Sequence, residues 1–381
     1  MSDIPAHHAA PTAPLLIDLF CQVVDNYGDI GVCWRLARRL TQNTPHHVRL
    51  WVDNLVAFRR LEPQVDTSGC QALTDQITVW HWERINQVKL AGDVVIEAFG
   101  CELPDAFLPL MLEKNSLWIN LEYLSAENWV NDCHQMPSLQ PNGLRKYFFF
   151  PGFTPATGGL LREPTLLEQR DEWLATPHAR WHQLQELGVP AELNSILQRG
   201  ARQVFLFNYP DAPTQALIRA LSNDSRPTVI LQPKEGATRI SKLTPNVDQV
   251  EIPFVPQVHF DSLLWGSDLN LVRGEDSLVR AMWAGKPFLW HIYRQDNDSH
   301  LIKLNAWLDK SPFEVGIKQL QIDWNRGELA GCEDAFNDLL NHPGKWRNWH
   351  QSCRSWASKL ARQPDLATNL LFFFTRHSGT R

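Results

Sequence analysis

Two carboxylates, Asp25 and Asp29, stand four positions apart in the run Asp25-Asn26-Tyr27-Gly28-Asp29, between apolar Leu15–Val24 and the helical pattern Cys33–Leu40. On a loop entering a helix, such a pair can hold a cationic group, or divide the work of orienting it and removing a proton. Asp, Asn and Gly are also ordinary at helix starts, so capping accounts for the same residues. Gly28 and Gly31 do not complete a Gly-x-Gly-x-x-Gly pattern, and acidic side chains stand where a phosphate cradle wants bare amides. A dehydrogenase using this half is therefore disfavoured.

A second cluster lies at Arg273-Gly274-Glu275-Asp276-Ser277, between the strand pattern Asp268–Val272 and a helical pattern that ends at Gly285-Lys286-Pro287. A helix opening beside Gly offers unsatisfied amides and the positive end of its dipole, which suit a diphosphate, while a carboxylate at the rim suits a ribose hydroxyl. Capping by Asp276 or Ser277 is again the alternative. Phe207, Tyr209, Gln257 and Phe260 fall near the ends of neighbouring strand patterns, where aromatic faces can stack on a base and Gln can bond its edge; packing alone also explains them. Asp296-Asn297-Asp298 resembles a metal-holding Asp-x-Asp pair, but its polar loop gives no further support and no metal is assigned.

The elements that must position these residues read as two rounds of βα units. Strand patterns at Leu15–Val24, Val48–Val52, Ile77–Trp80, Asp93–Phe99, Leu117–Leu121 and Tyr147–Phe150 alternate with helical stretches. After the Pro- and Gly-rich run Pro151–Pro164 the rhythm resumes at Gln203–Asn208, Thr228–Gln232, Val250–Phe254, Asp268–Val272 and Pro287–His291. The expected division is a first α/β domain over 1–185, on which a C-terminal helix at 355–381 packs back, and a second over 186–354. Ligands of open α/β sheets gather at the carboxyl ends of strands, where both clusters lie.

Composition narrows the classes. With 36 Lys plus Arg against 42 Asp plus Glu, the formal charge of -6 argues against a general nucleic-acid surface. Seven scattered cysteines without a Cys-x-x-Cys pair suggest reduced, mostly buried thiols and a cytoplasmic protein. No apolar run approaches the roughly 20 residues of a membrane span, and the first fourteen residues carry no export-signal pattern. Hydrolase, P-loop and zinc-protease motifs are missing from the sequence.

Phe20–Leu36 (FCQVVDNYGDIGVCWRL) resembles the signature of the protein-arginine rhamnosyltransferases that modify bacterial elongation factor P, the EarP family. The resemblance continues in Asn120–Glu127, Phe150–Phe153, Arg273–Ser277 and Gln295–His300, and so spans most of the chain. It implies a GT-B fold with two Rossmann-like domains facing across a cleft. It also implies transfer of L-rhamnose from dTDP-β-L-rhamnose, with inversion, to an arginine of elongation factor P, without cofactor, metal, nucleic acid or membrane.

Carried over, Asp29 matches the family's general base, Asp25 its acceptor-holding acid and Glu275 a required donor-side carboxylate. Asn26, Tyr27 and Gly28 complete the acceptor motif. Asp276 and Ser277 match the diphosphate-binding helix start, with Arg273 beside it, and Phe207, Tyr209, Gln257 and Phe260 the thymidine grip. The alternatives are a GT-B enzyme acting on a small molecule, lipid or glycan, and a noncatalytic nucleotide-sugar-binding module.

Overall fold

The computed structural model describes residues 13–24, 27–234 and 245–378. The chain forms two compact units: the first comprises Met1–Leu124, Trp129–Arg162 and Pro364–Arg381, the second Ser125–Asn128 and Glu163–Gln363.

The first unit runs β1 (Leu16–Cys21), α1 (Gly28–Thr41), β2 (His47–Val52), α2 (Leu55–Leu61), β3 (Cys70–Ala72), β4 (Ile77–His81), β5 (Val94–Ala98), α3 (Leu108–Lys114), β6 (Leu117–Leu121), α4 (Val130–Cys133), β7 (Pro137–Leu139) and β8 (Arg145–Phe149). Its strands order as β3-β4-β2-β1-β5-β6-β8-β7. The six inner strands pair in parallel and the short edges β3 and β7 pair antiparallel. Helices cover both faces of a parallel sheet, which is why β5 and β6 are continuous apolar runs broken only by Glu97 and Asn120.

Asp18 is the chief polar exception in β1. It is fully buried, and its carboxylate accepts from Arg49 Nε at 2.6 Å, Arg49 Nη2 at 2.7 Å, Trp51 Nε1 at 2.8 Å and the Gly92 amide at 2.6 Å. A buried charge so fully paired ties β1 to β2 and to the turn before β5.

The second unit opens with three helices, α5 (Leu166–Ala175), α6 (Ala179–Glu186) and α7 (Ala191–Gln198). It continues through β9 (Arg202–Leu206), α8 (Thr214–Asn223), β10 (Thr228–Pro233), β11 (Val247–Ile252), α9 (Gln257–Gly266), β12 (Leu269–Arg273), α10 (Gly274–Ala284) and β13 (Phe288–His291). Four helices follow: α11 (Ser299–Lys310), α12 (Val315–Arg326), α13 (Leu329–Asn341) and α14 (Pro343–Leu360). The sheet is wholly parallel in the order β11-β10-β9-β12-β13.

The units divide after Arg162, whereas the sequence analysis divides the chain at 185. The helices between these points belong with the second sheet: Arg170 donates to the Trp283 carbonyl at 2.8 Å, Arg180 to Gln203 at 2.9 Å, and Trp173 meets Trp265 edge-on at 6.0 Å. Periodicity shows that a helix buries a face but not which sheet receives it.

The last helix, α15 (Leu366–Ser378), belongs to the first unit. The Leu366 amide donates to the Leu160 carbonyl at 3.0 Å, Asn369 to the Gly158 carbonyl at 2.9 Å, and Arg39 pairs with Asp365 at 2.9 Å. The residues just before it, expected in the same helix, stay in the second unit, where Trp356 lies 5.7 Å from Trp307 and 5.5 Å from Phe313. All seven cysteines are free thiols.

Candidate active site

Each sheet has one place where strand order reverses. In the first unit the chain builds outward from β1 through β2 to β4, then returns to place β5 on the other side of β1. Loops leaving the carboxyl ends of two such strands diverge to opposite faces and leave a crevice between them. In the second unit the same reversal falls between β9 and β12.

The first crevice receives Asp29. Helix α1 begins at Gly28, five residues before the predicted Cys33, which puts Asp29 in its first turn. Asp29 is 3% exposed. Its Oδ2 accepts from the Val24 amide at 2.8 Å, while the N-cap Tyr27 makes no side-chain capping bond. The carboxylate therefore ties the loop after β1 back onto α1, a different task from classical end-capping. Asp53 fixes the same loop from β2 by accepting from the Val23 amide at 2.9 Å, and Arg60 on α2 donates to the Tyr27 hydroxyl at 2.9 Å. Gly28 opens α1. Asp25 and Asn26 lie outside the described residues.

Two aromatic residues that the sequence analysis did not single out border this carboxylate. The Tyr123 hydroxyl lies 3.5 Å from Asp29 Oδ1, and the Phe99 ring stacks on Tyr123 with centroids 4.5 Å apart and planes 17° apart. Phe99 follows β5 and Tyr123 follows β6; Tyr123 falls in the family-like segment Asn120–Glu127, whereas only its position at a carboxyl strand end could have marked Phe99.

The second crevice gathers most of the predicted donor residues. Phe207 and Tyr209 follow β9, and Arg273 ends β12 with its guanidinium carbon 4.5 Å from the Phe207 ring centroid and 5.0 Å from that of Tyr209. A cation over two ring faces is held without a carboxylate partner being needed, which keeps its donors directed by stacking. Phe260 on α9 meets Phe207 edge-on at 6.1 Å, and Gln257 is the buried first residue of α9.

Helix α10 starts at Gly274, whose φ of 67° is the left-handed conformation that glycine takes without strain. The Gly274 carbonyl is fixed by Trp290 Nε1 at 2.9 Å. Glu275, Asp276 and Ser277 occupy the first turn, half-buried. Asp276 accepts from Arg280 Nε at 2.9 Å, and Asp261 takes the Nη1 of the same guanidinium at 2.7 Å. The start of α10 is thus braced by a buried Arg280 that lies one turn behind it.

His291, also unforeseen, anchors the far side of Tyr209. Its Nδ1 accepts from the Tyr209 amide at 3.2 Å, and its Nε2 stands 3.7 Å from Asp211. Burial pushes its pKa down to about 4, outweighing the attraction of Asp211.

Among the described residues no helix is long and apolar enough to cross a membrane, and no group of His, Cys, Asp and Glu is arranged to hold a metal ion.

Two Rossmann-like units in one chain are the plan of the GT-B fold, which glycosyltransferases share. The spinosyn rhamnosyltransferase SpnG, solved with spinosyn aglycone, has this fold: TM-score 0.53 at 13% identity, covering 94% of this chain and 99% of that one. A family model described as Elongation-Factor P (EF-P) rhamnosyltransferase EarP matches residues 17–375, and the chain belongs to the EarP family.

Curated relatives named protein-arginine rhamnosyltransferase agree. That of Pseudomonas aeruginosa is 42% identical, covering 94% of this chain and 98% of its own length; that of Neisseria meningitidis is 36% identical, covering 97% and 100%. A solved structure described as the basis for EarP-mediated arginine glycosylation of translation elongation factor EF-P matches with a TM-score of 0.64 at 31% identity, over 95% of this chain and 99% of that one.

Proposed function

We propose that this protein moves L-rhamnose from dTDP-β-L-rhamnose to one arginine side chain of elongation factor P, inverting the anomeric carbon, and does so in the cytoplasm where that factor works. The observation that carries the reading is the buried Asp29 carboxylate at the switch point of the first sheet, in a chain of the EarP family.

Guanidinium is protonated at neutral pH and its lone pairs are delocalised, so it is a poor nucleophile until its nitrogens are made unequal. In this mechanism Asp25 and Asp29 hold different nitrogens. One nitrogen forms a bond to the anomeric carbon as the bond from that carbon to the dTDP oxygen breaks, and its proton passes to Asp29. The electron pair of the broken bond leaves with dTDP. The amides at Asp276 and Ser277 and the Arg273 guanidinium meet that charge, so the step calls on no metal or cofactor.

Glu275, at the rim of the same helix start, orients the donor sugar or ribose hydroxyls. Phe207, Tyr209, Gln257 and Phe260 hold the thymidine, with Arg273 stacked on the first two rings at the edge of that site.

Asp29→Asn keeps the shape and an acceptor for the Val24 amide but removes the base. It is expected to lower transfer by about 10²–10⁴-fold, the usual worth of a general base, while calorimetric binding of dTDP-rhamnose stays within twofold. Loss of donor affinity in this variant would make Asp29 a donor-site residue and contradict the assignment.

A further inference from the structure

The crevice between β1 and β5 is walled on one side by a segment whose backbone is held under strain. Phe99 has φ 60° and Glu102 φ 42°, with Gly100 between them taking its φ of 66° without strain. Left-handed backbone is costly for a bulky residue such as Phe and persists only where its surroundings over-determine it.

Those surroundings are visible. The Phe99 amide donates to the Leu121 carbonyl at 2.7 Å, and the Gly100 amide to Asn120 Oδ1 at 3.2 Å. Asn120 in turn donates to Glu122 at 2.6 Å, and the Glu122 amide is fixed to the Phe149 carbonyl at 2.9 Å. The end of β5 and the end of β6 are thereby locked to each other. The product of that locking is a single geometry: Phe99 and Tyr123 stacked in nearly parallel planes, 4.5 Å apart, both half-buried, with the Tyr123 hydroxyl 3.5 Å from Asp29 Oδ1.

We propose that Tyr123, backed by Phe99, positions the acceptor: its hydroxyl orients the Asp29 carboxylate, and the stacked ring pair is the platform on which the planar guanidinium lies. A partly exposed aromatic face beside a carboxylate is suited to a flat, delocalised cation, which can stack and bond in its own plane at once. An ammonium is a compact point charge and gains less from a flat platform. The pair therefore sets a preference for arginine over lysine in the acceptor. This deepens the function proposed above and rests on it.

The two halves of the proposal separate by substitution. Tyr123→Phe keeps the platform and removes the hydroxyl. It is expected to lower kcat severalfold, to leave the KM for elongation factor P within twofold, and to move the acid limb of the pH–rate profile to higher pH, because a carboxylate that loses a donor ionises less readily. Tyr123→Leu removes the platform as well and is expected to raise that KM about tenfold, the scale of a lost cation–ring contact. Phe99→Leu makes the same comparison on the supporting ring.

The Kd for dTDP-rhamnose serves as the control and is expected to hold steady in all three, while the thermal midpoint holds for Tyr123→Phe and drops by a few degrees where a stacked ring is lost. Identical kinetics for the Phe and Leu variants of Tyr123, or changes confined to donor affinity, would overturn the role of Tyr123 alone. No transfer by the unaltered protein to elongation factor P would overturn this proposal together with the function beneath it.

Discussion

Two histidines, the half-buried His134 in the first unit and the buried His291 in the second, couple the fold to pH through a single structural habit. His134 Nδ1 accepts from the Phe150 amide at 3.1 Å, as His291 Nδ1 does from the Tyr209 amide. An Nδ1 that accepts cannot carry a proton, and burial holds both rings at a pKa of about 4. In the unfolded chain each ring titrates near a pKa of about 6.5.

Between these values the unfolded state binds more protons than the folded one, so stability is full above about pH 6.5 and falls as pH drops toward 4. Urea midpoints measured at pH 7 and pH 5 are expected to fall at the lower pH. His291→Asn, which preserves an acceptor near the Nδ1 position but cannot titrate, is expected to flatten that dependence; an unchanged slope would contradict it.

At the scale of elements, α15 docks on the first unit through a close backbone approach. Gly159 has φ 78°, and a β-carbon there would lie 2.7 Å from the Pro364 carbonyl oxygen. Gly159→Ala is expected to lose about 1–3 kcal/mol for the left-handed backbone and more for the displaced helix, releasing the C-terminal segment to proteases. Gly143, with φ 87° and nothing within 4 Å, supplies the comparison, since its Ala variant meets the backbone cost alone. Equal losses in both would mean that the approach to Pro364 is relaxed at no cost.

The inner strands were legible in the sequence because parallel strands buried on both faces are unbroken apolar runs, as in Val94–Ala98 and Leu117–Leu121. The edges β3 and β7 were not, being three residues each and mostly exposed. The start of α1 was hidden by Gly28 and Gly31 in its first turn, since glycine is a poor helix former. β11 begins at Val247, three residues before the predicted Val250, because Asp248 and Gln249 interrupt the apolar pattern there.

For the whole molecule, the sequence carried the twofold α/β plan and the two clusters at carboxyl strand ends, and the switch points of both sheets fall beside them. What it could not carry is proximity across long separations: Tyr123 stands 94 residues from Asp29, and His291 82 from Tyr209. Nor could it show that Arg273 would settle over Phe207 and Tyr209 when carboxylates lay so near in sequence. Local pattern names strands and helix starts; the order of strands decides which ends become neighbours.

The most direct test of the account is peptide-level mass spectrometry of elongation factor P after incubation with this protein and dTDP-rhamnose. The expected product bears one deoxyhexose on one arginine, and is lost with Asp29→Asn. An unmodified factor, or a sugar on any other residue type, would contradict it.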